Sequence, residues 1–345
     1  MNFENIKTDS PEQILMDIRE EKTTYADVFL TLFKNGVDKG KIFYRLKMNY
    51  FLPDPGQLIY THFPHDTEWQ LLHEPITLKE FQSFPFVRIS FFKYNLSMHS
   101  HCKAVVESTD PEIRILLGFP SGSEKSLSFS TQLTFDDQDS TENYNSIPLK
   151  RYVRHEVLKK KSRLAIYVRP PKPGAYILSI SVKRTQNEVA IATEASGSVD
   201  NRYEDVCEYG LMAKISPKAC LPPFPHEDSG GYGQMEHAKR FNIRAVCRDA
   251  TVRATQGTVE LRFTNKDPSQ PLPRLMGELK STAFSEEAMK HCIVQRPLSN
   301  NKEFAFSIFL PDAGEYNLKV YANDPKRDGG TFFLVSALFF EGWKR

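Results

Sequence analysis

Neighbouring histidines and cysteines are the residue types in this chain that could bind a metal. His99-Ser100-His101-Cys102 has an i, i+2 histidine spacing, which would place two ligands on one face of a strand. A zinc site needs three or four ligands, and no second cluster in the sequence has a matching spacing. We therefore interpret this segment as a solvated loop or edge strand, and we predict neither a metal site nor a cofactor.

A cysteine nucleophile needs a base that takes its proton. His101-Cys102 and His291-Cys292 are sequence neighbours, which on a strand point to opposite faces. Cys207 and Cys247 lie in apolar strand patterns and are interpreted as small core residues. Packing and turn hydrogen bonds account for three further histidines: His62, His65 and His73. The sequence therefore predicts no catalytic residue among these groups.

Positive charge is concentrated in one stretch of the chain. Its members are Lys150, Arg151, Arg154, Lys159, Lys160, Lys161 and Arg163. Such a patch can meet an acidic protein, phosphoinositide head groups or nucleic acid, and a protein partner ranks first. The alternative is a solvated hairpin rim, balanced by the acidic stretch Phe135–Asp139. Gly230-Gly231-Tyr232-Gly233 lacks the Lys-Ser/Thr of a phosphate loop and is interpreted as a turn that leads into a domain.

Composition limits the class of protein. The 345 residues suffice for two or three domains, and 40% apolar residues exclude wholesale disorder. The formal charge of +2 gives no global field that would attract nucleic acid. No run of 18 apolar residues and no secretory signal pattern occurs, so no membrane span is predicted. Five scattered cysteines predict reduced thiols and a cytoplasmic location.

Most elements that would position these residues are β-strands. From about Phe84 the apolar residues alternate with a period of two, and Pro, Gly, Ser or Asp bounds each run. The alternation is clearest in three runs: Ile113–Leu117, Leu164–Val168 and Tyr176–Val182. Strands of this length, separated by turns, predict an antiparallel sandwich or barrel.

The strand pattern occurs twice. Three segments recur later in the same order: Glu112–Leu117 as Thr258–Phe263, Pro171–Leu178 as Pro311–Leu318, and Val206–Leu211 as Phe332–Val335. Matches in a conserved order predict a duplicated domain with loop insertions. In each copy a tyrosine, Tyr176 or Tyr316, follows a Pro-x-x-Gly turn. A tyrosine at such a corner of an immunoglobulin-like sandwich bonds back to the turn, so both are predicted to be structural.

Only the first fifty residues have a helical pattern. Ser10-Pro11-Glu12 has the hydroxyl cap, the proline and the acidic residue of a helix start. Apolar residues at spacings of three, four or seven continue to Asn35-Gly36, which predicts a helix over residues 11–35. Phe51-Leu-Pro-Asp-Pro-Gly56 is interpreted as a turn-rich break.

Several segments resemble one family, that of kyphoscoliosis peptidase and hillarin. Asn49–Pro64, with its Phe-Leu-Pro-Asp-Pro and Tyr-Thr-His-Phe-Pro strings, is similar to the end of the family's transglutaminase-like core, and Trp69–Leu72 follows it as expected. The later segments resemble the repeated domains behind that core: Cys207-Glu-Tyr, Leu221-Pro-Pro223, Gly231-Tyr-Gly233 and Phe309–Pro325. The resemblance covers roughly residues 10 to 341.

The resemblance implies a papain-like core in which a base activates a cysteine thiolate. The family's cysteine lies between two short motifs that Pro11–Leu15 and Tyr25–Phe29 fit, and the position expected to be cysteine is Lys22. Lysine cannot act as a thiolate. The histidine and aspartate would lie in Gly36–Tyr50, which contains no histidine and a single aspartate, Asp38. The transglutaminase-like reaction is therefore predicted to be absent.

These observations predict a mainly β chain with three parts. A truncated transglutaminase-like remnant of α+β structure occupies residues 1–80, and immunoglobulin-like sandwiches occupy 84–215 and 224–343. The resemblance implies a non-catalytic scaffold with cytoskeletal protein partners, which could dock on exposed edge strands. One alternative is a fragment of an active transglutaminase-like cysteine peptidase. A second is an extracellular adhesive protein, which would need a signal peptide and disulfides.

Overall fold

The structure is a computed structural model, and it describes most of the chain beyond residue 52. The described ranges are 53–136, 142–185, 202–225, 231–235, 237–247, 249–255, 257–265, 267, 273–298 and 303–342, with the backbone of 34–38 and 41–44. The chain divides into two compact units, Met1–Phe81 and Gln82–Arg345. Within the described ranges, no helix is long and apolar enough to cross a membrane.

The first unit contains a β-hairpin and short helices. Strand β1 (Lys34–Asp38) pairs antiparallel with β2 (Lys41–Tyr44). The predicted helix 11–35 is therefore wrong at its last two residues, and the rest of it lies outside the described residues. Ile42, Phe43 and Tyr44 favour a strand, and pairing with them outweighs the helical spacing that precedes Lys34. Lys22 also lies outside the described residues.

The Phe51–Gly56 segment starts a helix rather than only breaking one. Asp54 caps the helix Pro55–Leu58: its carboxylate accepts a hydrogen bond from the Gly56 N–H at 2.7 Å, and proline holds the first helical position. Further on, the 3₁₀ turn Thr67–Gln70 ends at Gln70, whose buried amide bonds both main-chain groups of Ile76. The sequence contained both signals of this helix start, the capping Asp54 and the proline at the first helical position. They were overlooked because the segment is rich in proline.

Two antiparallel sheets form the first sandwich. One sheet has the order β10 (Val153–Leu158), β11 (Arg163–Val168), β6 (Ile113–Gly118), β4 (Ser97–Met98). The other has the order β3 (Phe86–Val87), β13 (Glu204–Ala213), β12 (Gly174–Arg184), β7 (Leu127–Phe135), with β5 (Val105–Ser108) parallel to β13. A small hairpin pairs β8 (Asn143–Tyr144) with β9 (Ile147–Pro148). Short helical segments connect the strands: Leu78–Gln82, Ile89–Lys93, Ser123–Lys125, Leu149–Tyr152, Lys159–Lys161 and Pro217–Ala219.

The second sandwich repeats the strand order of these two main sheets. One sheet has the order β19 (Ile293–Pro297), β20 (Glu303–Phe309), β17 (Thr258–Asn265), β15 (Ile243–Ala245). The other has the order β14 (Gly233–Gln234), β22 (Phe333–Glu341), β21 (Glu315–Asn323), β18 (Arg274–Ser281), with β16 (Thr251–Arg253) parallel to β22. The helices His237–Arg240 and Glu286–Lys290 lie between strands.

The matching strand orders confirm the predicted duplication. The three recurring sequence segments fall on equivalent strands, namely β6 and β17, β12 and β21, and β13 and β22. The inward-facing residues of the predicted alternations are fully buried: Ile115, Leu117, Leu164, Ile166, Val168, Tyr176, Leu178, Ile180 and Val182. The period-two pattern arises because one face of each sheet packs against the partner sheet.

Both corner tyrosines bond to their own turns, as predicted. The Tyr176 hydroxyl donates to the Lys172 carbonyl at 2.7 Å, and the Tyr316 hydroxyl donates to the Asp312 carbonyl at 2.8 Å. Each hydroxyl also accepts a hydrogen bond from the main-chain N–H of the same turn residue. Burial raises the pKa of Tyr176 to about 12. Gly174, the first residue of β12, and Gly314, directly before β21, have positive φ values of 147° and 159°.

Candidate functional site

The stretch of basic residues found in the sequence lies in two different environments in the structure. Arg151 and Arg154 lie against the second sandwich, where Arg154 is 4% exposed. Lys159, Lys160 and Lys161 form an exposed turn between β10 and β11. The interpretation as a solvated hairpin rim is therefore wrong for Arg151 and Arg154. They bond groups that the second sandwich and its linker supply.

An apolar cluster joins the two sandwiches. Phe224 lies in the linker, the segment between β13 and β14, and Phe339 lies on the outer face of β22. Both are buried, and their rings meet edge to face with centroids 6.1 Å apart. The guanidinium of Arg154 lies 4.2 Å from the Phe339 ring centroid and 3.8 Å from that of Tyr167. Arg151 donates two hydrogen bonds to the Phe224 carbonyl, at 2.8 and 3.1 Å. The outer face of β10 and β11 is thus covered by the outer face of β22.

A buried charge network lies beside this cluster. The Glu156 carboxylate accepts hydrogen bonds from the Tyr167 hydroxyl at 2.9 Å and from the Thr251 hydroxyl at 2.8 Å. Its other contact is Arg154, 3.8 Å away. Glu156 and Arg154 belong to the first sandwich and Thr251 to the second. The carboxylate therefore holds the two sandwiches in register through paired, hydrogen-bonded groups.

Arg169 of the first sandwich forms a bidentate ion pair with Glu315 of the second. Its Nε donates to Glu112 at 2.7 Å, while Nη1 and Nη2 donate to the two oxygens of Glu315 at 2.6 Å each. The guanidinium stacks 3.9 Å from the Phe224 ring centroid, and the side chain is 7% exposed. Burial by itself would lower the pKa of Arg169, but hydrogen bonds and attraction to Glu315 and Glu112 raise it above the ordinary arginine value. This bidentate arrangement fixes both position and orientation.

A buried histidine lies where the linker enters the second sandwich. His155 Nδ1 lies 3.1 Å from the Thr131 hydroxyl on β7, and the His155 carbonyl accepts from the Tyr232 N–H at 2.8 Å. Gly231 packs so closely on the ring that an added Cβ would lie 2.5 Å from Nε2. Burial lowers the pKa of His155 to about 4, against a hydrogen bond with Phe129 that favours the charged form. The imidazole is therefore neutral at physiological pH.

An open cleft lies between the two sandwiches, and we call it the interdomain cleft. Its cavity is about 410 Å³. The residues that line it are Glu124, Lys159 and Lys160 of the first sandwich, with Gly233, Gln234, Arg244, Ala245, Cys247, Asp249, Ser336 and Leu338 of the second. The exposed part of the predicted basic concentration thus faces two edge strands, β14 and β15, of the second sandwich.

Among the described histidines and cysteines that the sequence analysis considered, only Cys247 lines the interdomain cleft. His99 follows edge strand β4 and donates its main-chain N–H to Leu116, while the His101 ring contacts Ser100. Among the described residues, no group of three or more metal-ligating side chains is close enough to hold an ion. Cys207 is buried in the core as predicted, and burial raises the pKa of its thiol. Cys247 is only partly buried, because β15 ends before it and leaves it on the cleft wall.

Sequence reasoning missed Arg169, Glu315, Phe224 and His155. One signal was available for Glu315, which occupies the position of Ala175 between the matching glycine and tyrosine of the corner motif. Glutamate in one copy and alanine in the other indicate that the surroundings of this position differ between the two sandwiches. The other three lie in ordinary strand or linker patterns, where no local feature separates them from core residues.

One family model matches the first sandwich. Residues 78–224 match the model of a family described as a KY-like, immunoglobulin-like domain. The matched range runs from the helix Leu78–Gln82 to Phe224, the linker residue whose ring lies near the guanidinium groups of Arg154 and Arg169. The mainly β, immunoglobulin-like fold class predicted from the sequence is confirmed.

Three known proteins align with most of the chain. Hillarin from Drosophila melanogaster is 27% identical over 283 residues, which is 81% of this chain. Lim and transglutaminase domain protein ltd-1 from Caenorhabditis elegans is 26% identical over 82% of the chain. Kyphoscoliosis peptidase from Mus musculus is 23% identical over 84% of it. The alignments cover 33%, 37% and 38% of these relatives, so the chain spans little more than a third of their length.

Proposed function

The chain is similar to hillarin and kyphoscoliosis peptidase, as its motifs predicted, and also to ltd-1, and we propose that it is a non-catalytic, cytoskeleton-associated interaction protein. In this proposal residues 1–80 are a truncated transglutaminase-like remnant, and the sandwiches at 84–215 and 224–343 bind protein partners in the cytoplasm. The observation that carries the proposal is the interface between the sandwiches. Buried aromatic and ionic groups hold two modules as one body, which presents its clefts and edge strands in a fixed arrangement.

The thiol environments support a non-catalytic role. Where the structure shows hydrogen bonds from the thiols of Cys220, Cys247 and Cys292, the acceptors are main-chain carbonyls. Burial raises the pKa of Cys292 and of Cys207, which is the opposite of what a thiolate nucleophile needs. The five cysteines are unpaired, which favours a reducing compartment over the extracellular alternative. With Lys22 at the position expected for the nucleophile, these thiols offer no substitute.

Two measurements test the proposal. Tagged chain expressed in cultured cells should remain with the detergent-insoluble cytoskeletal fraction, and recovery in the soluble fraction would remove the cytoskeletal part. Purified chain should neither cleave a casein substrate nor incorporate a fluorescent amine into it. Activity that a thiol alkylating reagent abolishes would contradict the non-catalytic part.

The short coverage of the relatives favours one alternative function. The chain aligns with 33–38% of each relative, so it would also fit a segment of a transglutaminase-like cysteine peptidase. Sequencing of the full-length transcript separates the two functions. A transcript that restores a cysteine in place of Lys22, with a histidine and an aspartate before residue 51, would support the enzyme.

A further inference from the structure

The interdomain cleft contains main-chain groups that face away from their own sheets. The Val246 N–H bonds the Arg262 carbonyl at 2.8 Å, so β15 uses alternate residues for β17 and the main chain of Ala245 points to the open edge. The Met235 N–H bonds the Val335 carbonyl at 2.9 Å, and by the same alternation the main chain of Gln234 points into the cleft. Two edges therefore offer N–H donors and C=O acceptors to the same space.

One side-chain contact confirms this alternation. The carbonyl of Ile243, which should also face the open edge of β15, accepts a hydrogen bond from the Gln234 side-chain amide at 3.2 Å. Gln234 thereby closes one end of the gap between β14 and β15. Ala245 lies two residues further along β15, where the cleft is open.

Positive charge exceeds negative charge on the cleft walls. Lys159, Lys160 and Arg244 face two carboxylates, Glu124 and Asp249. Glu124 is already engaged, since it accepts the Ser162 hydroxyl at 2.9 Å. Lys160 stands on the wall formed by the first sandwich and Arg244 on the wall formed by the second. Neither makes an ion pair with another residue in the described part of the chain.

We propose that the interdomain cleft binds an extended, acidic segment of a partner protein, a proposal that rests on the protein-interaction function above. An extended chain supplies alternating N–H and C=O groups for Ala245 and Gln234, and its carboxylate side chains reach the cations on either wall. A phosphate head group would match the cations alone, and the carbonyl oxygens of the two edges would repel it. The open main-chain groups therefore select a peptide over a phosphoinositide.

Fluorescence anisotropy of labelled eight-residue peptides on the full chain tests the proposal. An alternating Glu-Thr peptide should bind, while the matching Lys-Thr peptide should not. The double variant Lys160→Glu/Arg244→Glu should weaken binding at least about tenfold, because it places like charges opposite the ligand. Lys218→Glu/Lys326→Glu changes the same total charge at exposed positions that do not line the cleft, and it should leave binding unchanged.

The variant Ala245→Pro tests the main-chain contribution. It removes an N–H that points away from β17, so β15 can keep its pairing, and circular dichroism should show an unchanged fold. Peptide binding should fall about tenfold although every charge remains. Equal binding by wild type and the Lys160/Arg244 variant, or binding of phosphoinositide vesicles in place of the acidic peptide, would overturn the proposal.

Peptide binding and the cytoskeletal fractionation together distinguish a failure of the cleft proposal from a failure of the proposed function. If the Lys160→Glu/Arg244→Glu variant loses peptide binding and leaves the cytoskeletal fraction, both proposals are supported. If no acidic peptide binds wild type while the chain stays in that fraction, the cleft proposal fails alone. If peptide binds but the chain is soluble in cells, the cytoskeletal function fails and the cleft proposal stands.

Discussion

Replacing Arg169 with methionine should destabilise the second unit by about 3 kcal/mol. Methionine keeps most of the length and apolar contact of arginine and removes the guanidinium, which donates one hydrogen bond to Glu112 and two to Glu315. Breaking a buried ion pair costs about 3–5 kcal/mol, because the remaining charge is buried without a partner. The side chains of Glu112 and Glu315 retain 29% and 27% exposure, so water offsets part of that cost.

Chemical denaturation, with hydrogen exchange read by mass spectrometry, measures this effect. Arg253→Met is the matched control, since Arg253 pairs with Glu341 at 3.0 Å but is 83% exposed, and it should cost less than about 1 kcal/mol. Exchange should rise in the linker and on β10, β11 and β22, which the interface covers. The triple variant Arg169→Met/Glu112→Gln/Glu315→Gln should recover part of the loss, because no unpaired charge remains. A loss no larger than that of Arg253→Met would refute the reasoning.

Three further perturbations have defined outcomes. Burial lowers the pKa of His155 to about 4 from 6.5, so its stabilising contribution is complete above pH 6.5 and declines as pH falls toward 4. Denaturation at pH 7.5 and 4.5 should show about 2–3 kcal/mol less acid destabilisation in His155→Gln than in wild type, and an equal pH dependence would contradict this. Gly231→Ala should cost about 1–3 kcal/mol in thermal unfolding through its contact with the His155 ring, whereas Gly330→Ala, with open space around it, should cost under about 0.5 kcal/mol. Tyr316→Phe should lower the free energy of unfolding by about 1–2 kcal/mol by leaving Asp312 main-chain groups unpaired, and no change would argue against the corner hydrogen bonds.

The fold was predictable where the determining contacts are local. Alternation from Tyr176 to Val182 reflects one strand with one buried face, and the corner turn lies four residues from the tyrosine that bonds it. The duplication was predictable because both copies keep the Pro, Gly, Tyr and Leu of the corner motif and the strand patterns around it, in the same order. Local signals were also misinterpreted at Pro55. An N-cap residue and a proline at the first helical position were interpreted as a break, although they start a helix.

The interface was not predictable because its partners are distant in sequence. Arg169 and Glu315 are 146 positions apart, and neither has a feature that points to the other. Arg154 and Glu156 alternate with Val153, His155 and Val157, which is the usual pattern of a strand with a solvated outer face. That face is buried because the second sandwich supplies Thr251 and Phe339, and a local pattern contains no information about such a partner.

The contact between the two copies joins unlike faces. The first sandwich contributes the outside of its β10-β11 sheet, and the second contributes the outside of its β21-β22 sheet, which corresponds to β12-β13 of the first. Two equivalent modules that meet in this heterologous way have no two-fold axis between them, so the pair has a direction. Among the described residues, the first module therefore uses one of its two sheets in this contact, and the second module uses the other kind of sheet. A tandem of this kind is directional, because its two ends differ. A ligand that spans it can therefore bind in only one orientation.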